Sequence, residues 1–242
     1  MKLYLPGLLL VFVTFISACG NNGVPESISN VRAPSASPTP SAATAAAPSS
    51  DQSLPKIVAF GDSLTAGLGL TAAESYPSIL QKKLEADGYR YEVVNAGVSG
   101  DTSAGGLRRI DWALEGDVRF VILELGANDI LRGLPIAEMK KNLGEIIARA
   151  ERRGATVLLA GMYAPTSSGS DYQREIHEAF QSLAREHEVT LIPFFLDRVA
   201  GIESLNQEDG VHPNAEGSRI VAETVYEALR PLLEREKQRG AK

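Results

Sequence analysis

The chain has a single cysteine, Cys19. No disulfide can form within one copy, so any exported domain is held together by its core. Histidine is also scarce: His177, His187 and His212 are the only three. No two of them have the His-x-x-x-His spacing, so no zinc ligand set is recognisable. A basic excess is also missing, since 24 Lys and Arg face 30 Asp and Glu for a formal charge of −6. That balance argues against nucleic acid, whose partners are usually basic. There is no internal repeat, no Gly-Lys-Ser/Thr phosphate loop and no long apolar run after Ile16. Gly67-Leu68-Gly69-Leu70-Thr71-Ala72 looks like a dinucleotide fingerprint but begins seven residues after Phe60 instead of at a strand's end, which weakens a nucleotide or flavin reading.

The first eighteen residues read as a signal peptide. Met1-Lys2 is a minimal positive start, Leu3 to Ile16 is an apolar run too short to span a bilayer, and Ser17-Ala18-Cys19 is a small-residue cleavage site. Ile16-Ser17-Ala18-Cys19 resembles the bacterial lipobox, which implies cleavage before Cys19 and a lipid anchor on it. Gly20 after the cysteine, where an aspartate would favour retention, points to sorting toward an outer membrane if the organism has one. Residues 19–52 then turn to Ser, Ala, Pro and Thr. Such a composition buries too little surface to offset its ordering entropy and predicts a disordered tether of roughly 30 Å reach, more if extended. Residues 53–242 remain as one domain of ordinary size. A monomer in the cell envelope is expected.

Within that domain, Lys56 to Phe60, Tyr91 to Asn95, Phe120 to Leu125, Thr156 to Ala160 and Val189 to Ile192 are short runs rich in Val, Ile and Leu. Near-continuous apolar runs suit parallel strands covered on both faces. Helical patterns separate them at Ser75 to Asp87, Thr102 to Leu114, Ile136 to Arg153 and Asp171 to His187, and another closes the chain at Pro213 to Lys237. The alternation predicts a three-layer α/β/α sandwich with a five-stranded parallel sheet. In such sheets the functional crevice lies outside the carboxyl ends of the strands.

The chemistry-bearing residues fall at those ends. Ser63, in Gly61-Asp62-Ser63-Leu64, comes three residues after Phe60, where a hydroxyl can be exposed beside backbone amides. Alone, Gly-Asp-Ser is equally a turn or a helix cap. The Gly-x-Ser-x-Gly elbow is absent, because Thr65 stands where its second glycine would be. Asp209-Gly210-Val211-His212-Pro213 follows the last strand, close enough in sequence for the carboxylate to hold one ring nitrogen while the other faces Ser63. A capping aspartate beside a surface histidine is the alternative. His177 and His187 are read as solvated helix positions. Asn128, in Gly126-Ala127-Asn128-Asp129, is a suitable side-chain donor to an oxyanion, or else a residue favouring a left-handed backbone, with Asp129 capping the next turn. Gly97 offers a backbone amide, though a plain turn explains it as well.

Taken in order, Gly61-Asp62-Ser63-Leu64, Gly97, Gly126-Ala127-Asn128-Asp129 and Asp209-Gly210-Val211-His212 resemble the blocks of the SGNH/GDSL hydrolase superfamily. The likeness runs from Lys56 to about Glu216. Ser99-Gly100-Asp101-Thr102-Ser103, Leu131-Arg132-Gly133 and Pro193-Phe194-Phe195 are similar to its bacterial thioesterase I/lysophospholipase/arylesterase branch. The resemblance implies a flavodoxin-like strand order 2-1-3-4-5, with Ser63 as nucleophile, His212 as base and Asp209 as its partner. It also implies an oxyanion hole from the Ser63 amide, the Gly97 amide and the Asn128 side chain, and no metal or organic cofactor. The substrate implied is an acyl ester or thioester, with O-acetyl groups of envelope polysaccharide or peptidoglycan as the alternative. The segment Met162 to Asp171, small and polar, departs from the branch and bears on acyl-chain preference. A catalytically silent binding protein has no need of Ser63, Asn128, Asp209 and His212 together.

Overall fold

The computed structural model describes residues 53–240; the signal peptide, Cys19 and the tether lie outside them. Five strands form one parallel sheet: β1 (Lys56–Gly61), β2 (Glu92–Gly97), β3 (Val118–Glu124), β4 (Thr156–Ala160) and β5 (Thr190–Ile192). Their spatial order is β2-β1-β3-β4-β5. β1 and β3 are almost wholly buried because they lie inside the sheet with helices on both faces. β2 is an edge strand and leaves Glu92 and Asn95 exposed, so polar residues interrupt its apolar run.

The helices are α1 (Ser63–Ala66), α2 (Tyr76–Ala86), α3 (Ser103–Ala113), α4 (Ala127–Leu131), α5 (Ile136–Arg152), α6 (Ser170–Glu186) and α7 (Ala215–Gly240). α2 packs with α7 on one face, and α5 packs between α3 and α6 on the other. α5 buries Met139, Leu143, Ile146, Ile147 and Ala150, the stripe its 3.6-residue spacing predicts. The five long helices lie where the sequence places them, with ends moved by at most three residues, the largest shift being the end of α7 from Lys237 to Gly240. Thr102, for example, stands outside α3 and caps it, its Oγ1 accepting from the Gly105 amide at 3.3 Å. The strand ends differ similarly: β2 extends to Gly97 and β3 stops at Glu124.

In register, Gly61 sits beside Gly97 of β2 and Glu124 of β3. The three strands therefore end level, and β1, β2 and β3 deliver α1, the Gly97 loop and α4 to one end of the sheet.

Candidate active site

Asp62 turns the chain out of β1, and its carboxylate accepts the Leu64 amide at 3.0 Å, so α1 starts on Ser63. Ser63 Oγ lies 2.9 Å from His212 Nε2, although the two are 149 residues apart in sequence. His212 Nδ1 lies 2.7 Å from Asp209 Oδ2. The other Asp209 oxygen accepts the Val211 and His212 backbone amides at 2.9 and 3.0 Å. These two backbone donations, then the His212 ring, hold the carboxyl down at about 2. Asp209 is thus an anion fixed by its own loop, and it sets the tautomer of His212 by accepting the Nδ1 proton.

Asn128 is not left-handed. Gly126 takes that conformation, with φ 114°, and Asn128 lies within α4. Its Nδ2 donates to Asp62 Oδ2 at 3.0 Å. Asp129 does not cap a turn either: it is buried and accepts from the Ser103 amide at 2.7 Å and the Ser103 hydroxyl at 2.6 Å, pinning α4 to α3. Gly97 is more than a plain turn residue, because the protein's own backbone passes too close for a side chain. A Cβ there would stand 2.2 Å from the Ala66 nitrogen and 2.7 Å from the Thr65 carbonyl carbon, so glycine lets β2 lie against α1. The Gly97 amide donates to Asn95 Oδ1 at 3.0 Å; serving an oxyanion requires that exposed side chain to yield. The Ser63 amide belongs to the first turn of α1, where N–H groups have no partner within the helix.

Three supports were not singled out in the sequence. Glu124, fully buried, accepts from Thr65 Oγ1 at 2.7 Å and the Asp62 amide at 3.3 Å. Burial first, then the Asp62 charge, push its carboxyl well up. A lone carboxylate inside Val-Ile-Leu-Glu-Leu is a visible anomaly in a strand covered on both faces. Arg109 donates to the Ala96 and Gly61 carbonyls, both at 2.8 Å, and to Asp101 at 2.6 Å, clamping β1 to β2 where they part. Gln207 donates to the Leu68 carbonyl at 2.7 Å and the Pro213 carbonyl at 3.0 Å, tying the His212 loop to the loop after α1.

His177 and His187 stay away from this cluster, but neither is simply solvated. Gln181 donates to His177 at 2.8 Å and Tyr163 meets its ring edge-on, while His187 pairs with Glu151 at 3.5 Å. A narrow crevice beside Ser63 and His212, with about 270 Å³ of empty space much of it open to solvent, is lined by Leu64, Leu70, Tyr76 and Phe195. No group of three or more His, Cys, Asp or Glu side chains among the described residues is arranged to hold a metal ion.

Residues 59–220 match the family model described as the GDSL-like Lipase/Acylhydrolase family. The chain belongs to that family. Esterase TesA of Pseudomonas aeruginosa is 40% identical over 178 residues, covering 73% of this chain and 89% of TesA. Thioesterase 1/protease 1/lysophospholipase L1 of Escherichia coli K12 is 34% identical over 178 residues, 73% of this chain and 84% of its own length. Among solved structures, the psychrotrophic esterase EstA from Pseudoalteromonas sp., inhibited by monoethylphosphonate, superposes with TM-score 0.70 at 33% identity over 74% of this chain and 98% of EstA. As a member of this acylhydrolase family the chain is an ester hydrolase of the esterase and thioesterase type.

Proposed function

We propose that the chain hydrolyses carboxylic esters or thioesters through an acyl-enzyme on Ser63, with His212 as general base and Asp209 orienting it. The continuous hydrogen-bonded chain from Ser63 Oγ through the His212 ring to Asp209 carries this reading. His212 Nε2 takes the hydroxyl proton as Oγ attacks the acyl carbonyl, and the imidazolium is stabilised by the anionic Asp209. The Ser63 amide, the Asn128 side chain and, once Asn95 yields, the Gly97 amide receive the oxyanion. Collapse breaks the ester or thioester bond, and the imidazolium protonates the departing alcohol or thiol. Water then attacks the acyl-serine with its proton passing to His212, and release of the acid returns that proton to Ser63.

The apolar surface favours an acyl or aryl ester over a sugar-bound acetyl group. Leu68, Val98, Leu131, Leu134, Tyr163, Ile202 and Val211 are exposed, and each lies in a connection that leaves the carboxyl end of a strand. Of the other exposed large apolar side chains among the described residues, only Leu54 and Trp112 lie elsewhere. Seven apolar side chains around one end of the sheet suit an amphipathic substrate. The narrow crevice at Ser63 suits a short group in the innermost position.

Reaction with a fluorophosphonate, followed by mass spectrometry, tests the mechanism. One adduct on Ser63, with p-nitrophenyl ester turnover lost in Ser63→Ala, is expected; unchanged turnover in Ser63→Ala rejects the assignment. We further propose, on the strength of Ile16-Ser17-Ala18-Cys19, that Cys19 is lipidated and holds the enzyme in the cell envelope as a monomer. Palmitate incorporation by the wild type and its loss in Cys19→Ala is the expected result, and an unlabelled wild type refutes it.

A further inference from the structure

We infer that Asp62 is a positioning residue that fixes the amide orientation of Asn128 and so supplies the oxyanion donor. The inference rests on the serine-hydrolase reading of Ser63. A carboxamide has one acceptor side and one donor side, and its neighbours decide which faces where. On one side of Asn128 stands the Asp62 carboxylate, which only accepts; its Oδ2 takes one Nδ2 proton at 3.0 Å. On the other stands Arg132, which only donates; its Nη2 approaches Asn128 Oδ1 at 3.5 Å. Both neighbours select the same orientation. Nδ2 is turned toward the residue next to Ser63, and its second N–H is left to meet an oxyanion.

Capping alone does not account for Asp62. Its Oδ1 caps α1 through the Leu64 amide, a task that asparagine or serine performs about as well. Yet the carboxyl is completely buried, and burial raises it to about 6 from an ordinary 3.8. A buried charge retained where a neutral cap would serve calls for a partner that needs an acceptor without a donor, and Asn128 is that partner. One carboxylate thereby fixes two oxyanion donors relative to each other: the Ser63 amide through the start of α1, and the Asn128 amide directly. Glu124 anchors the arrangement from behind, accepting the Asp62 backbone amide at 3.3 Å.

Asp62→Asn separates the two roles. It keeps an oxygen for the Leu64 amide but turns an NH₂ group toward Asn128, whose amide then flips and withdraws its donor. The test compares wild type, Asp62→Asn, Asn128→Ala and the double variant on p-nitrophenyl acetate, with a thermal melt of each. Expected is a kcat loss of about 10²–10³-fold in each single variant, the magnitude of one oxyanion donor. KM should stay within about threefold, and the double variant should be no slower than Asn128→Ala beyond about threefold. Asp62→Ser, which also caps but does not reach Asn128, enters the same cycle if Asp62→Asn does not fold. Wild-type kcat in these variants, or losses that multiply in the double variant, overturns the inference and leaves the Ser63 mechanism standing. A wild type without esterase activity removes the mechanism itself, and the inference with it.

Discussion

At the scale of single residues, the site spends stability at Asp62. Burial raises this carboxyl first; Asp101 pushes the same way, while the Leu64 amide, the Asn128 amide and His212 pull it down. Glu124 of β3, whose oxygen accepts the Asp62 amide, is the other acid packed against it. The group titrates at 3.8 in the ordinary state and at about 6 when folded. Between those values the folded protein holds a proton that the unfolded chain has lost, so this group's contribution falls as pH rises from about 4 to about 6 and is flat above. The shift corresponds to about 1–3 kcal/mol at neutral pH. Asp62→Asn should therefore melt no lower than wild type at pH 7.5, and up to several degrees higher, with the advantage gone at pH 4.5. Thermal melts at the two pH values check this. Asp209 behaves oppositely: its carboxyl is held at about 2, so its contribution is intact above about pH 4 and is lost as pH falls toward 2. Ser63, His212 and Asp209 were legible because their motifs are local in sequence. Asp62's role was not, since the same Gly-Asp-Ser string makes turns and caps whose side chains are solvated.

Elements account for how loops on separate strands meet. The five strands and five long helices could be read from apolar runs and 3.6-residue stripes, which report burial directly. The short helices α1 and α4 escaped that reading, because four or five residues make no periodic stripe and their positions are fixed by Asp62 and Gly126. Gln207 escaped it for another reason: it reaches Leu68 across 139 residues, and no local pattern encodes that distance. Its backbone amide also donates to the His212 carbonyl at 2.8 Å, so one residue brackets the base and holds its loop against the α1 loop. Gln207→Ala and Gln207→Glu should both lower kcat about tenfold with KM little changed, because glutamate keeps the shape and loses both donors. Steady-state kinetics of the two variants check this. Activity retained in Gln207→Glu would mean that shape, not donation, holds the loop.

For the whole molecule, Ser63, the proposed nucleophile, follows the end of β1, an interior strand beside the β2 edge, while His212 and Asp209, its proposed base and orienting acid, lie on the connection from β5, the opposite edge, to α7. Between the two halves of this machinery runs Pro165 to Ser170, every residue of it exposed. A backbone break at Thr166–Ser168 would leave Ser63, Gly97 and Asn128 with four strands on one fragment. Asp209 and His212 would go with α6, β5 and α7 to the other. Exposed segments of small polar residues tolerate such breaks. Each fragment should be inert alone, and mixing them should restore ester turnover in proportion to the reassembled complex. The enzyme then becomes a reporter of its own complementation: any two proteins fused to the fragments would switch on hydrolysis by associating.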